Sequence, residues 1–239
     1  MNTEHSISRR TFLQSAGLFA VSLSLPLAVK ANTKKVLILG GTNFVGPNIV
    51  NEGLKKGWDI TLFNRGITNP NMFPKLQKIK GDRFIAADVK KLASENWDIV
   101  IDTWSKEPLA VKISTEAFKN KVSHYAYISS ISVYGGRNYQ IAGLTEDAEL
   151  PRQSPLSENN GNIDYTRRKI YAENFIRENF PNSHSIYRAH TILGTDPVTG
   201  TLNNSNLRVG GRSYWIWRID KGGDILAPGE PRSEERRVG

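Results

Sequence analysis

Three stretches of this 239-residue chain carry side chains whose types and spacing could do chemistry. The first runs from Lys34 to Gly46, Lys-Lys-Val-Leu-Ile-Leu-Gly-Gly-Thr-Asn-Phe-Val-Gly. Val36 to Leu39 is an all-apolar run that fits a strand buried on both faces, and glycines follow it at once. From Phe44 the spacing turns helical, with Val45, Ile49 and Leu54 on one face and Gly57 as a stop. Strand, glycine-rich turn and helix in that order let backbone N–H groups approach a diphosphate, whose charge is also favoured at the helix N-terminus. Gly40, Gly41, Thr42, Asn43, Phe44, Val45 and Gly46 are therefore the candidate cradle, the paired glycines making the tight turn and Gly46 allowing close helix–strand packing. Asn43 stands where the usual fingerprint has its middle glycine, and Asn tolerates left-handed backbone better than most residues. The second stretch, Tyr127 to Gly135, places the hydroxyls of Ser129, Ser130 and Ser132 where a strand leaves its sheet. The third opens a helix with Tyr165-Thr166-Arg167-Arg168-Lys169, so that Tyr165 and Lys169, four apart, share one face. A turn that binds nothing and an ordinary polar helix start are the competing readings of each piece alone, but chance rarely supplies all three in this order.

The elements that must position these residues alternate along the chain. Asp59 to Arg65 is a second strand, at whose end a dinucleotide fold reads the adenosine ribose. An acid there would accept from the 2′-hydroxyl of NAD, whereas Asn64 and Arg65 favour the 2′-phosphate of NADP, and NAD stays open as the second choice. A third strand is predicted over Arg83 to Ala86 with Gly81 and Asp82 at its mouth, then a short helix over Val89 to Ser94. Trp97 to Thr103 is a fourth strand, Leu109 to Asn120 a helix and His124 to Ser130 a fifth strand. Strands alternating with helices at this spacing imply parallel pairing with right-handed crossovers, hence an α/β, doubly wound Rossmann-type parallel sheet. Ligands then sit at the carboxyl ends of the strands, which adds Asp82, Arg83 and Thr103 to the candidate cofactor contacts.

With 38% hydrophobic residues the chain can bury a sizeable core. The absence of cysteine excludes a disulfide framework or thiolate metal site, four scattered histidines argue against a histidine site, and no metal is expected. Both ends are expected to lie outside the mature fold. Residues 1–31 contain Arg9-Arg10-Thr11-Phe12-Leu13 ahead of an apolar run, Leu18 to Val29, that is too short to span a membrane. The segment resembles a twin-arginine signal peptide, which implies the twin-arginine export machinery as a partner, a periplasmic destination and no membrane span in the mature protein. Residues 232–239, Arg-Ser-Glu-Glu-Arg-Arg-Val-Gly, back-translate to a short-read sequencing adapter and are expected to be a non-native scar. Without these two segments the formal charge of +9 falls by three to +6, enough for an anionic cofactor and weak evidence for nucleic acid.

The chain resembles the extended short-chain dehydrogenase/reductases of the NAD-dependent epimerase/dehydratase family. Gly-Gly-Thr-Asn-Phe-Val-Gly, Leu-Phe-Asn-Arg-Gly, Gly-Asp-Arg, Ile-Ser-Ser-Ile-Ser-Val-Tyr-Gly and Leu-Ala-Pro-Gly stand in family order between residues 34 and 231. The resemblance implies an NAD(P)-binding domain over 32–190 and a partial, truncated substrate lobe over 191–231, since the family continues past the turn at Leu226 to Gly229. It also implies that Ser130 is the catalytic hydroxyl, Tyr165 the acid/base and Lys169 its helper and a ligand of the nicotinamide ribose. That agrees with general chemistry, because a phenol of pKa near ~10 is a poor base unless a neighbouring ammonium stabilises its phenolate. Arg188-Ala189 replaces the more usual Arg-Pro. The implied activity is that of an oxidoreductase or epimerase/dehydratase on a small hydroxyl/carbonyl substrate, sugar-like in character, with the fragment itself inactive if part of its pocket is missing. The long polar segment between Gly136 and Ile163 would cover the strand ends. Trp215, Trp217 and Arg218 belong to the partial lobe, with core packing their expected role. A homodimer is left open. Similar plant relatives are RNA-binding proteins, so an RNA-binding or catalytically silent nucleotide-binding scaffold is the alternative.

Overall fold

The computed structural model describes residues 33–104, 106–135, 144–153, 163–190 and 192. The signal-peptide, partial-lobe and adapter expectations, and most of the proposed cover over 136–163, fall outside these residues. Six parallel strands form one sheet in the order β3-β2-β1-β4-β5-β6: β1 (Lys35–Leu39), β2 (Asp59–Asn64), β3 (Gln77–Lys80), β4 (Trp97–Asp102), β5 (Val122–Ser130) and β6 (His184–Ala189). The order reverses between β1 and β4, which pair Val36 with Ile99 and Leu39 with Asp102, and a doubly wound sheet binds ligands at such a reversal. The α/β, Rossmann-type fold expected from the sequence is therefore present.

Alternation along the strands sends side chains to two cores. Leu37, Leu39, Phe63, Val100, Tyr125 and Tyr127 face one side, where they meet residues of α2 (Ala86–Leu92), α3 (Leu109–Phe118) and α4 (Tyr165–Asn179), among them Leu92, Phe118 and Ile176. Val36, Ile38, Ile60, Leu62 and Ile101 face the other, covered by Val50 of α1 (Gly46–Lys55). Burying an aliphatic side chain such as these contributes roughly 1.5–3 kcal/mol, so the strand registry that sets which face each residue takes is strongly specified.

Three local expectations are corrected. The face that α1 buries is Gly46, Pro47, Val50 and Gly53, while Leu54 is 42% exposed. Small residues on that face bring the helix close to the sheet: a Cβ on Gly53 would lie 2.7 Å from the Ile60 and Trp58 side chains. The residue in left-handed conformation is Phe44, with φ of 54°, and not Asn43. The third strand is Gln77–Lys80, while Arg83 to Ile85 forms the turn into α2 and Ala86 is its first residue. β3 escapes an apolar-run criterion because it is an edge strand, paired through Thr61–Gln77 to Asn64–Lys80, whose residues are mostly exposed.

Candidate active site at the carboxyl ends of the strands

Two cavities open at the strand ends and share Phe44, Val45 and Thr103 as walls. The larger by free volume, about 310 Å³, holds Ser130, Tyr165, Lys169 and His190; the other, about 290 Å³, is bordered by the Gly40–Val45 turn, Asn64, Arg65, Asp82 and Arg83. All of the predicted site residues except Gly46 thus line one or the other. Gly46 sits behind the turn, where a Cβ would lie 2.7 Å from both the Cα and carbonyl carbon of Gly41. Gly40 and Gly41 have φ of 113° and 94°, a region that L side chains rarely adopt. Turn and helix are in contact backbone to backbone with no room for side chains, as a diphosphate cradle requires, so the residues present fit a dinucleotide.

The side chains around the cradle divide into those that face the cavity and those that build it. Asn64 builds: its Nδ2 donates to the Gly40 carbonyl at 3.2 Å and its Oδ1 accepts from the Gly66 N–H at 2.9 Å. Arg65 is exposed on the cavity rim. Thr103 donates to the Leu39 carbonyl at 3.0 Å, closing the gap between β1 and β4. Asp82 caps the turn into α2, its Oδ1 accepting from the Phe84 N–H at 2.9 Å.

Arg83 is turned inward, where its guanidinium makes a fork to Asp102 at 2.9 and 2.6 Å and reaches Ser114 Oγ at 3.3 Å. Asp102, fully buried, also accepts from the Tyr125 hydroxyl at 2.8 Å and the Trp104 N–H at 2.8 Å. Burial works against the Arg83 charge, but Asp102 more than offsets it and holds the guanidinium firmly protonated. Burial, reinforced by the same carboxylate, pushes the Tyr125 and Tyr127 phenols well above their ordinary range.

Ser130 ends β5 and caps the 3₁₀ turn Ile131–Tyr134, its Oγ accepting from the Ser132 N–H at 3.2 Å. Helix α4 begins at Tyr165 because Asp164 supplies an N-cap, accepting from the Arg167 N–H at 3.0 Å. Tyr165 remains 43% exposed and aims at the larger cavity. Lys169, one turn on, is only 2% exposed. Its Nζ donates to the Trp104 carbonyl at 3.0 Å, the Tyr127 hydroxyl at 3.0 Å and the Ile128 carbonyl at 2.6 Å, which uses all three ammonium protons. The Nζ lies 5.9 Å from the Tyr165 ring, so the two are brought together by charge and proximity, not by a direct hydrogen bond. Burial lowers the Lys169 pKa to about 8, against the pull of Asp102 and Glu173, while Arg83 lowers it further.

Sequence reasoning missed Asp102, Tyr127 and Glu173. Asp102 carries a signal, an acid closing the apolar run of β4. Glu173 continues the stripe Tyr165, Lys169, Glu173, Arg177 at four-residue spacing.

No family model matches the chain. Over 140 residues it is 32% identical to the chloroplast stem-loop binding protein of 41 kDa b from Arabidopsis thaliana, a match that takes in 53% of this chain but spans only 35% of that protein. Among solved structures it is similar to the Bordetella bronchiseptica enzyme WbmG in complex with NAD and UDP (TM-score 0.53, 16% identity, 68% of this chain and 55% of that one). It is likewise similar to the UDP-glucose 4-epimerase of Thermotoga maritima with UDP-glucose (TM-score 0.51, 16% identity, 64% and 54%). The chain thus shares its Rossmann-type α/β fold with these enzymes.

Proposed function

We propose that the protein binds NAD or NADP across the two adjoining cavities and acts as an oxidoreductase or epimerase/dehydratase on a small, sugar-like substrate with a hydroxyl/carbonyl carbon. The observation that carries this reading is that Ser130 and the helical pair Tyr165 and Lys169, from separate elements, border one cavity whose wall is shared with the glycine cradle. The nicotinamide, when bound, supplies the hydride-accepting or hydride-donating carbon. Everything else falls to the chain. The cradle's N–H groups and the start of α1 hold the diphosphate. Arg65, on the rim, offers a cation to a 2′-phosphate, and Asn64, an amide committed to the turn, puts no carboxylate where a 2′-hydroxyl would need one. Ser130 Oγ would position the substrate oxygen while the Tyr165 phenol gives or takes its proton.

The test uses the full-length protein. NADPH and NADH binding is followed by fluorescence, and turnover is sought over a panel of sugar-like carbonyl compounds. Tyr165→Phe should keep nicotinamide binding and lose turnover by about a hundredfold to ten-thousandfold. Near-wild-type turnover in that variant would dismiss the site. The 32% identity to a stem-loop binding protein supports a second reading, an RNA-binding member of the same fold. It predicts RNA affinity that falls steeply with salt. We also propose twin-arginine export to the periplasm, supported by Arg9-Arg10 before a short apolar run.

A further inference from the structure

Glu173 lines neither cavity, yet no part of its side chain reaches solvent. Its carboxylate accepts from Ser129 Oγ at 2.6 Å and Arg188 Nε at 3.2 Å through one oxygen. Through the other it accepts from Arg188 Nη2 at 2.9 Å and Arg177 Nη2 at 3.2 Å. Arg188 carries the connection further, its Nη1 donating to the Tyr134 hydroxyl at 2.9 Å and the Glu146 carbonyl at 2.8 Å. Tyr134 in turn donates to the Thr145 carbonyl at 3.3 Å. One carboxylate on α4 therefore ties together the end of β5, the end of β6, the 3₁₀ turn and the segment around Glu146. Ser130 and Ala189, which wall the larger cavity, are bonded directly to Ser129 and Arg188, and Ile131, Ser132 and His190 of the same wall follow within three residues.

We propose that Glu173 is a positioning residue for the Ser130–Tyr165 cavity, acting through Ser129 and Arg188 to fix where the Ser130 hydroxyl and the β6 wall stand; this rests on the reading of that cavity as the reaction site. A buried ion pair is weak evidence for added stability, since well-packed apolar residues often do as well. What an apolar residue cannot supply is direction. The Arg188 fork meets the carboxylate with two parallel N–H groups and still has a third donor for Tyr134, so the angle between β6 and the 3₁₀ turn is set by planar geometry. Ser129 is adjacent to Ser130, and Lys169 holds the preceding carbonyl, that of Ile128, at 2.6 Å. The backbone of Ile128 and the side chain of Ser129 are thus clamped by successive turns of α4 immediately before the residue that would hold substrate.

The experiment compares wild type, Glu173→Gln, the milder Ser129→Ala and Arg188→Lys, all in the full-length protein, by hydrogen exchange and by kinetics. The carboxamide of Glu173→Gln would turn an N–H₂ toward two guanidinium groups. Exchange should rise in peptides covering 128–135, 144–148 and 186–190 and stay unchanged across β1 and β2. NADPH binding should also be unchanged, because the cradle is held by separate contacts. Turnover should fall roughly ten- to hundredfold in kcat with the KM for NADPH unmoved, as expected for a misplaced reacting group. Ser129→Ala should move the same peptides less, and Arg188→Lys, which keeps charge without the fork, should resemble Glu173→Gln. Exchange rising across the whole sheet, no rise at 128–135, or a local rise with unchanged kcat would each overturn the proposal. If wild type neither binds nicotinamide nor turns over any carbonyl compound, the reading of the reaction site fails instead. The local exchange pattern then decides the clamp by itself.

Discussion

Replacing Lys169 with Met should change how the stability of the protein depends on pH. The ammonium is buried beneath Tyr165 with a pKa of about 8, against an ordinary value of 10.5, and burial is the main cause. That gap corresponds to about 3 kcal/mol of stability forgone wherever the group is charged in both states. The sign follows from proton counting. Below pH about 8 folded and unfolded chains both carry the proton and the full cost is present. Between about 8 and about 10.5 the folded chain has released the proton while the unfolded chain still holds it, so stability rises with pH through this window. Above it both forms are neutral and the cost is gone. Between about pH 7 and about pH 9 the gain from this group should be about 1 kcal/mol. Met fills similar volume but donates nothing, so the carbonyls of Trp104 and Ile128 and the Tyr127 hydroxyl lose their donor. Each loss destabilises by about 1–3 kcal/mol, but by the same amount at every pH. Urea unfolding of both proteins at the two pH values therefore separates the effects. The wild-type minus variant difference should climb by about 1 kcal/mol toward alkaline pH at constant m-value. A difference that is flat or falls would show that Lys169 is not buried as a costly cation.

Gly46→Ala should abolish nicotinamide binding and destabilise by about 1–3 kcal/mol, because its Cβ meets Gly41 backbone that cannot yield. Gly57→Ala, at φ of 72° with nothing within 4 Å, should cost about 1 kcal/mol from backbone strain and leave binding intact; equal effects would disprove the cradle. Arg65→Ala should weaken NADPH binding much more than NADH binding, and titrations showing equal losses would remove the NADP preference. Changing Arg9 and Arg10 to Lys should strand the precursor in the cytoplasm, and undiminished periplasmic protein in fractionated cells would refute twin-arginine export.

The parts of this fold legible in the sequence are those where burial writes a pattern. β1, β2 and β4 are apolar because both faces are covered, and each was found within a residue or so of its observed ends. β3 was misplaced because its pairing is made by backbone while its side chains remain in water, leaving Gln77-Lys78-Ile79-Lys80 no hydrophobic signature. The apolar pair Phe84-Ile85 that drew the strand instead lies exposed at the start of α2. The site divides in the same way. Tyr165 and Lys169 are visible through local spacing and the cradle through its glycines. Which partners Lys169 has is not visible, because Trp104, Tyr127 and Ile128 approach from two other elements. Arg83 shows the same limit. Next to Asp82 in a strand-end motif it suggested a cofactor contact, and only the register of β4 discloses that Asp102 lies in reach of its guanidinium.

The central place of β1 bears on the order in which the protein can fold. The strand that carries the glycine cradle is the first of the described strands to leave the ribosome, yet Thr103, the residue that bonds the Leu39 carbonyl, follows 64 positions later. Lys169 bonds Trp104 only 65 positions after that. Parallel pairing of this kind must close long loops before any contact compensates the lost chain entropy, so β1 with β2 is at best a marginal pair while the chain grows. The proposed dinucleotide site is therefore built in two stages: the cradle closes only when β4 joins β1, and the cavity beside it only when α4 docks, so that capture of a nucleotide across both would follow synthesis of at least the first 170 or so residues.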